Sequence, residues 1–165
     1  MTAAHLAAKG GGYEFQRQNN FEVDIYDVPG MDVLKLALQS AALPSVALEE
    51  VALPYLNGQA YAAGRATYET MPLVFRDFVD QNVRVSLNEW WLQHYDPDTE
   101  AIGRASTYKK DGQIILYDPA GEAVQTYSLF GCWMQNFVGG TLDYTAADVV
   151  TIEATIRFDR AKLDV

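Results

Sequence analysis

The groups able to do chemistry in this chain are few and scattered: His5, His94, Cys132 and a surplus of carboxylates, 22 Asp and Glu against 12 Lys and Arg, for a net charge of −10. A single cysteine excludes an intrachain disulfide, and with two histidines it is too small a set for a Cys/His zinc cluster. No phosphate-cradling glycine loop, nucleophile elbow or HExxH motif occurs. A histidine general base would have to be His5, in a tail, or His94, late in a predicted helix among aromatic residues, where packing is the default role. Cys132, beside Phe130 and Trp133, reads as a small core residue rather than a nucleophile. Asp96, Asp98 and Glu100 alternate like the opening of a calcium loop, but the glycine and terminal glutamate of that loop are missing from their places. The residues therefore indicate no catalysis, no metal and no cofactor. Lys109-Lys110 is the only adjacent basic pair, and so acidic a chain lacks the clustered cations that displace counterions from phosphates.

What remains is a question of surfaces, and surfaces are set by elements. The 165 residues, 49% of them hydrophobic, suit one globular domain that buries about 68–70% of its unfolded surface. Met1–Gly12 lacks the basic head and long apolar core of a signal peptide, and no run nears the ~18 apolar residues of a membrane span. A soluble protein made in the cytoplasm is expected. Residues 1–18, alanine-rich and then Gly10-Gly11-Gly12, are expected to form a flexible N-terminal arm ahead of a single β domain over 19–165.

The clearest element is the hairpin over 113–133. Gln113–Tyr117 and Glu122–Phe130 are β-branched and aromatic runs, and Asp118-Pro119-Ala120-Gly121 between them carries turn residues in order, with Gly121 free to take a left-handed backbone. Neither face of its second strand is fully apolar, so both sides of the sheet should be occupied. Phe21–Tyr26 alternates apolar and acidic residues as a half-buried strand, Asp27-Val28-Pro29-Gly30 punctuates it, and Val33–Ser40 is expected as its partner strand. Leu73–Phe78 reads as a strand, and Val150, Ile152, Ala154, Ile156 and Phe158 alternate with polar residues in a closing strand. Val79, Val83, Leu87, Trp90, Trp91 and Tyr95 recur at helical spacing, with Asp80 as a candidate N-cap and Asp96-Pro97 as the stop. Residues 96–112 are then left as a long connection, the kind that is usually functional or disordered. The sum is a mainly β fold, an antiparallel barrel or sandwich with one flanking helix.

One stretch does not fit a solvent-facing role. A strand over roughly 46–53 carries Glu49 and Glu50, neighbours that point to opposite faces, so that one of them must be shielded by a partner or sit at a bulge. It leads into Pro54-Tyr55-Leu56-Asn57-Gly58 and Tyr61, where Asn57-Gly58 is a strong hairpin signal flanked by apolar residues. Hairpin tips are ordinarily polar, so an apolar tip indicates a contact surface.

In order and spacing, Asn20–Val23, Leu43-Pro44, Pro54–Gly58, Tyr95-Asp96-Pro97 through Ile102-Gly103-Arg104, Tyr108–Gly112 and Gly131-Cys132-Trp133 resemble the tail tube proteins of contractile-tailed bacteriophages, a family whose tubes are shared with type VI secretion and extracellular injection systems. The resemblance runs from about residue 19 to about 160. It departs from the family where Met134 follows Trp133 in place of a common proline. It implies hexameric rings stacked into a tube that conducts double-stranded DNA, in a virion assembled in the host cytoplasm. The implied partners are further copies of the chain, a tail sheath, a tape measure protein in the lumen, and baseplate and tail terminator proteins. It makes the hairpin with Pro54, Tyr55, Leu56, Asn57, Gly58 and Tyr61 the inter-ring contact. A conduit for DNA must not bind it, so the acidic balance suggests a carboxylate-lined lumen, with Glu49 and Glu50 as candidates. The nearest rival is the tube of an injection device. A rival of another class is a β-sandwich carbohydrate-binding module using Trp90-Trp91 on a sugar, although such a pair on an amphipathic helix is ordinarily core.

Overall fold

The computed structural model describes residues 15–80 and 82–164. Most of the expected N-terminal arm, including His5, lies outside the described residues. The core alternation predicted near the C-terminus is present in β10 (Thr151–Arg157), where Ile152, Ala154 and Ile156 are fully buried and Thr151 and Glu153 face out. This strand lies between β5 (Met71–Arg76) and β9 (Ala123–Val138). The other half of the sheet is β1 (Phe21–Ile25) on β8 (Lys110–Tyr117), with β8 on β9. A short β2 (Leu38–Ala41) closes the far edge on β5, and β11 (Arg160–Asp164) pairs with the first half of β9. All the pairings are antiparallel, in the order β1-β8-β9-β10-β5-β2.

The sheet bends on β9, and glycine is the reason. Gly112 faces Leu129 while Lys110 faces Cys132, so β9 spends one more residue than β8 there. That extra residue sits at Gly131, whose φ of 67° is a left-handed value that a Cβ would strain. The orphaned Gly131 N–H is satisfied by the Asp111 carboxylate at 2.9 Å. The bulge resets the alternation, so that Leu129, Cys132 and Met134 all enter the core although strict period-2 places 129 and 132 on opposite faces. A second register shift opposite Thr155/Ile156 bends the strand again. The result is sandwich-like and not a closed barrel: edge strands β1 and β2 do not pair, and a cleft of about 610 Å³ lined by Phe21, Ala41, Leu43, Ile114 and Leu116 lies between them.

The expected flanking helix is α2 (Val83–His94), and two shorter ones accompany it among the described residues: α1 (Met31–Ala37) and the single turn α3 (Ala105–Tyr108). The segment Val33–Ser40, expected as a partner strand, is mostly α1; only its end is strand, and β1 pairs with β8 instead. In a short apolar run, periods of 2 and 3.6 both fit, and here Leu34 and Ala37, three apart, are the buried pair. Lys35 on the same helix reaches Glu22 and Asp24 of β1 at 3.1 Å each, which ties α1 to that strand and partners both carboxylates. Helix α2 starts at Val83 without a side-chain cap, so Asp80 does not serve as one, and Val79 is fully exposed. Val83, Leu87 and Trp90 form its buried face, while Tyr95 has already left the helix. The 96–112 connection is not structureless: β6 (Tyr95–Asp96) pairs with β7 (Ala101–Ile102), and α3 follows.

The predicted 113–133 hairpin is present, with Gly121 at φ 88°. Asp118 accepts from the N–H groups of Gly121 and Glu122, through its carbonyl and its carboxylate, at 3.1 and 2.8 Å. Ile114 and Leu129 from its two strands join Trp90 of α2 in the core. One side of the hairpin therefore does pack on that helix.

Candidate assembly surface

The residues that could have supported chemistry are occupied with holding the body together. His94 is buried and stacks on Tyr108 with ring centroids 4.8 Å apart. Its Nε2 lies 3.0 Å from the Met134 N–H, which can only donate, so this nitrogen is the acceptor. Nδ1 must then carry the proton and donate to the Trp90 carbonyl at 2.8 Å. Burial holds the His94 pKa below its ordinary value, against the pull of the Trp90 carbonyl. Nδ1 is spent within α2, and Nε2 on joining α2 to β9. Cys132 is fully buried, and burial pushes its thiol up to about 12. Trp90 is buried and donates Nε1–H to the Tyr108 carbonyl, so the adjacent pair does not form an open sugar platform; Trp91 is only half-buried and stacks on His94. Of the basic pair, Lys109 meets the Asp159 carboxylate at 2.8 Å.

The exposed feature lies elsewhere. β3 (Val46–Tyr55) and β4 (Gly58–Tyr68) pair only with each other, a two-stranded ribbon outside the main sheet. Every residue of β3 is exposed, as are nine of the eleven in β4. The exposed residues include Val46, Leu48, Val51, Leu53, Tyr55 and Tyr61. An isolated two-stranded ribbon is marginal in water, and contiguous apolar exposure of this kind marks an interaction site.

The predicted contact residues gather at the distal end of this ribbon, with the turn displaced by one residue. Tyr55 pairs with Gly58, which makes Leu56 and Asn57 the turn residues instead of Asn57-Gly58. Leu56 therefore takes the positive φ, 50°, and stands 91% exposed at the tip. A leucine in that backbone region costs about 1–2 kcal/mol, and its exposed side chain recovers none of it within the subunit. Tyr61 is on β4, opposite Ala52.

Glu49 and Glu50 sit midway along β3, both exposed. Leu48 faces Ala66 and Glu50 faces Ala63, so β4 has one extra residue opposite Glu49, at Gly64 and Arg65. Because the bulge is on β4, β3 keeps its alternation, and the two acids point to opposite faces as the sequence required. The shaft residues Val46, Leu48, Val51 and Leu53 were not singled out by sequence reasoning. The signal was there: Val46-Ala47-Leu48 and Val51-Ala52-Leu53 lack the polar positions that a half-exposed strand shows. A second exposed apolar group, Leu142, Tyr144 and Val149 in the loop after β9, was also missed; that loop is braced by Arg84, which donates to the Gly139 carbonyl and to Asp77.

The body buries His94, Trp90 and Cys132 while the ribbon stands exposed, and comparison with known proteins gives this arrangement a family. A tail tube protein of Serratia phage KSP90 is 29% identical over 156 residues, spanning 87% of this chain and 84% of that relative. Among solved structures, a chain from the sheath/tube terminator of the extracellular contractile injection system PVC, in the extended state, has a TM-score of 0.73 at 18% identity, covering 93% of this chain and 99% of its own. A chain from the extended PVC sheath-tube complex has a TM-score of 0.70 at 17% identity, covering 99% and 98%. At such identities these structures speak for the fold alone. The model of the T4-like virus tail tube protein gp19 family matches residues 17–162, nearly all of the described chain, and the chain belongs to that family.

Proposed function

We propose that copies of this chain close into hexameric rings and that the rings stack into the inner tube of a contractile phage tail, the conduit for double-stranded DNA. The observation that carries this reading is the β3–β4 ribbon, which exposes apolar residues along its whole length while the body buries its own. In this reading Pro54, Tyr55, Leu56, Asn57, Gly58 and Tyr61 are the arm that reaches the neighbouring ring. Replacing Tyr55→Ala together with Leu56→Ala leaves a folded subunit that does not stack. Tubes of normal length from that variant in negative-stain electron micrographs would refute the assignment.

The acidic surplus has a role in the same reading. A wall of carboxylates keeps phosphates in mid-channel, so DNA passes without specific binding. Glu49 and Glu50 remain the lumen candidates, and because they point to opposite faces of the ribbon the channel takes at most one of them. Glu49→Lys and Glu50→Lys, made singly, identify it: assembled tubes of the correct variant retain linear duplex DNA at low salt. If neither variant changes retention, neither acid lines the channel.

The sheath outside, the tape measure protein inside, and terminator and baseplate proteins at the ends complete the proposed partners, in a virion assembled in the host cytoplasm. The phage relative supports DNA as the cargo, whereas the likeness to injection systems stops at the fold. The role is structural, with no catalysis.

A further inference from the structure

The two halves of the ribbon stand in different registers, and the glycine at its tip is not where the observed turn would use one. Near the root, Val46 faces Tyr68, Ala47 faces Thr67 and Leu48 faces Ala66; beyond the bulge, Glu50 faces Ala63 and the ladder runs on to Tyr55 opposite Gly58. The two-residue turn forces a positive φ of 50° on Leu56. Gly58 keeps an ordinary φ, and a Cβ added there would meet only the Tyr55 carbonyl, at 3.6 Å. The observed hairpin thus makes no use of the freedom of Gly58.

The root register, continued to the tip, gives each of these residues a fitting place. Tyr55 would face Gln59 across a three-residue loop, Leu56-Asn57-Gly58, a length whose usual form is a type I turn closed by a left-handed residue. Leu56 then returns to the ordinary backbone region, and Gly58 takes the positive φ without steric cost. The chain already builds such a loop in its other hairpin, where Pro119-Ala120-Gly121 joins Asp118 to Glu122 and Gly121 has φ 88°. There the Asp118 N–H donates to the Glu122 carbonyl at 2.9 Å, and the Gly121 N–H to the Asp118 carbonyl at 3.1 Å. Continuing the root register also removes the bulge on β4 and brings Glu49 opposite Arg65, an opposite-charge pair across the strands. In the observed register neither of these forms an ion pair among the described residues. Leu53 gains Tyr61 as its cross-strand partner in place of Ala60.

Burial is what ordinarily forbids a one-residue slip, because the slip turns every side chain of the strand to the other face. Here neither face is covered by the body: Val51, Leu53, Tyr55 and Tyr61 are all exposed. The root need not open, and the Glu69 N–H keeps its bond to the Ser45 carbonyl at 3.1 Å. The extra residue of β4 only moves from the bulge to the loop. We propose that the distal ribbon of the free subunit exchanges between these two registers, which turns residues 59–63 from one face to the other relative to β3. The exchange belongs to the subunit alone and does not depend on what the ribbon meets.

The test is disulfide trapping in the full chain, diluted so that it stays monomeric. Directly opposite residues on antiparallel strands lie about 4.5–5.5 Å apart at Cα, within disulfide reach. Ala52→Cys with Tyr61→Cys reports the observed register. Ala52→Cys with Ala62→Cys reports the slipped one, since in the observed register Ala62 faces Val51 and points away from Ala52. Cys132 is fully buried and does not compete. Each variant is equilibrated in a glutathione redox buffer, remaining thiols are alkylated under denaturing conditions, and the closed fraction is read by intact mass. Both pairs are expected to close. Adding Gly58→Ala, which the observed register tolerates, should lower closure of the 52–62 pair about tenfold and leave the 52–61 pair unchanged. If the 52–62 pair never closes, or closes equally well with Gly58→Ala, the ribbon has a single register that merely frays, and the proposal is wrong. Failure of both pairs to close would also overturn it, because the ribbon would then not be a formed hairpin in the free subunit.

Discussion

In β10, Ile152, Ala154 and Ile156 are each at 0% exposure, whereas in β3, Val46, Leu48, Val51 and Leu53 stand at 55%, 62%, 44% and 51%. The two strands draw on the same residue types and sit in one chain. The first repays its ordering entropy inside the subunit, where each fully buried large aliphatic side chain contributes about 1.5–3 kcal/mol. The second gains little there, and its stabilisation has to come from another molecule. On the proposed reading the body is a folding unit, and the ribbon is an assembly unit attached to it. The contrast extends to polar groups: His94, Asp111, Asp118 and Arg84 are committed to internal hydrogen bonds in the body, while in the ribbon Tyr61 makes only a local one, to Gln59.

If this division holds, substitutions in the body act on subunit stability and those in the ribbon act on assembly. The largest loss of stability is expected from Trp90→Ala, which empties a fully buried site and removes the bond to the Tyr108 carbonyl. It should cost about 3–5 kcal/mol in urea unfolding, a large share of the ~5–15 kcal/mol that such a domain holds. A loss below ~1 kcal/mol would mean that α2 is not part of the folding unit.

Gly131→Ala comes next, because the new Cβ would meet the Asp159 carboxylate in a left-handed backbone. It should cost about 1–3 kcal/mol. An unchanged midpoint would show that the β9 bulge does not organise the core.

A smaller effect is expected from pH, through His94. In the unfolded chain this histidine gains a proton below about 6.5. In the folded subunit burial opposes protonation, and Nε2 is already engaged as an acceptor. The unfolded state then binds more protons, so the His94 contribution is fully present above about 6.5 and is lost as pH falls towards the lowered folded value. Urea midpoints measured downwards from pH 7 should decline in this window for the natural chain and less steeply for His94→Gln. The depressed carboxyl of Glu22, bonded to Lys35 and to the Tyr117 hydroxyl, acts only at lower pH, below the ordinary glutamate value of 4.5. Equal slopes for the two proteins would remove His94 as the cause.

The smallest changes in subunit stability belong to the ribbon. Tyr55→Ala with Leu56→Ala should shift unfolding by no more than about 0.5 kcal/mol while abolishing stacking. Leu56→Gly separates the two roles further: relief of the positive φ should leave the subunit as stable or slightly more so, and tubes should still form less readily in sedimentation assays. Destabilisation of the isolated subunit by these tip changes would erase the line between body and arm.

Much of this was legible in the sequence wherever short-range chemistry decides. The turn at Asp118–Gly121, the alternation of β10, the buried helix face of Val83, Leu87 and Trp90, and the opposed directions of Glu49 and Glu50 all follow from backbone preferences and period. So does the apolar hairpin, as a feature in need of a partner. Tertiary structure decided what period could not. Val33–Ser40 reads equally well as strand or helix, and it becomes helix because Leu34 and Ala37 reach the core while Lys35 meets two carboxylates on β1. The turn at Leu56-Asn57 is set by the pairing register of the whole ribbon, which overrides the local preference of Asn-Gly. Gly131 turns β9 from one half of the sheet to the other through a residue that looks like any strand glycine until its partners on β8 and β11 are known. Composition and period determined most of the strands and marked the tip at Tyr55, Leu56 and Tyr61 as apolar. Which strands take the core and which are left for a neighbour depends on long-range pairing, because burial is a property of the packed whole and not of any one segment.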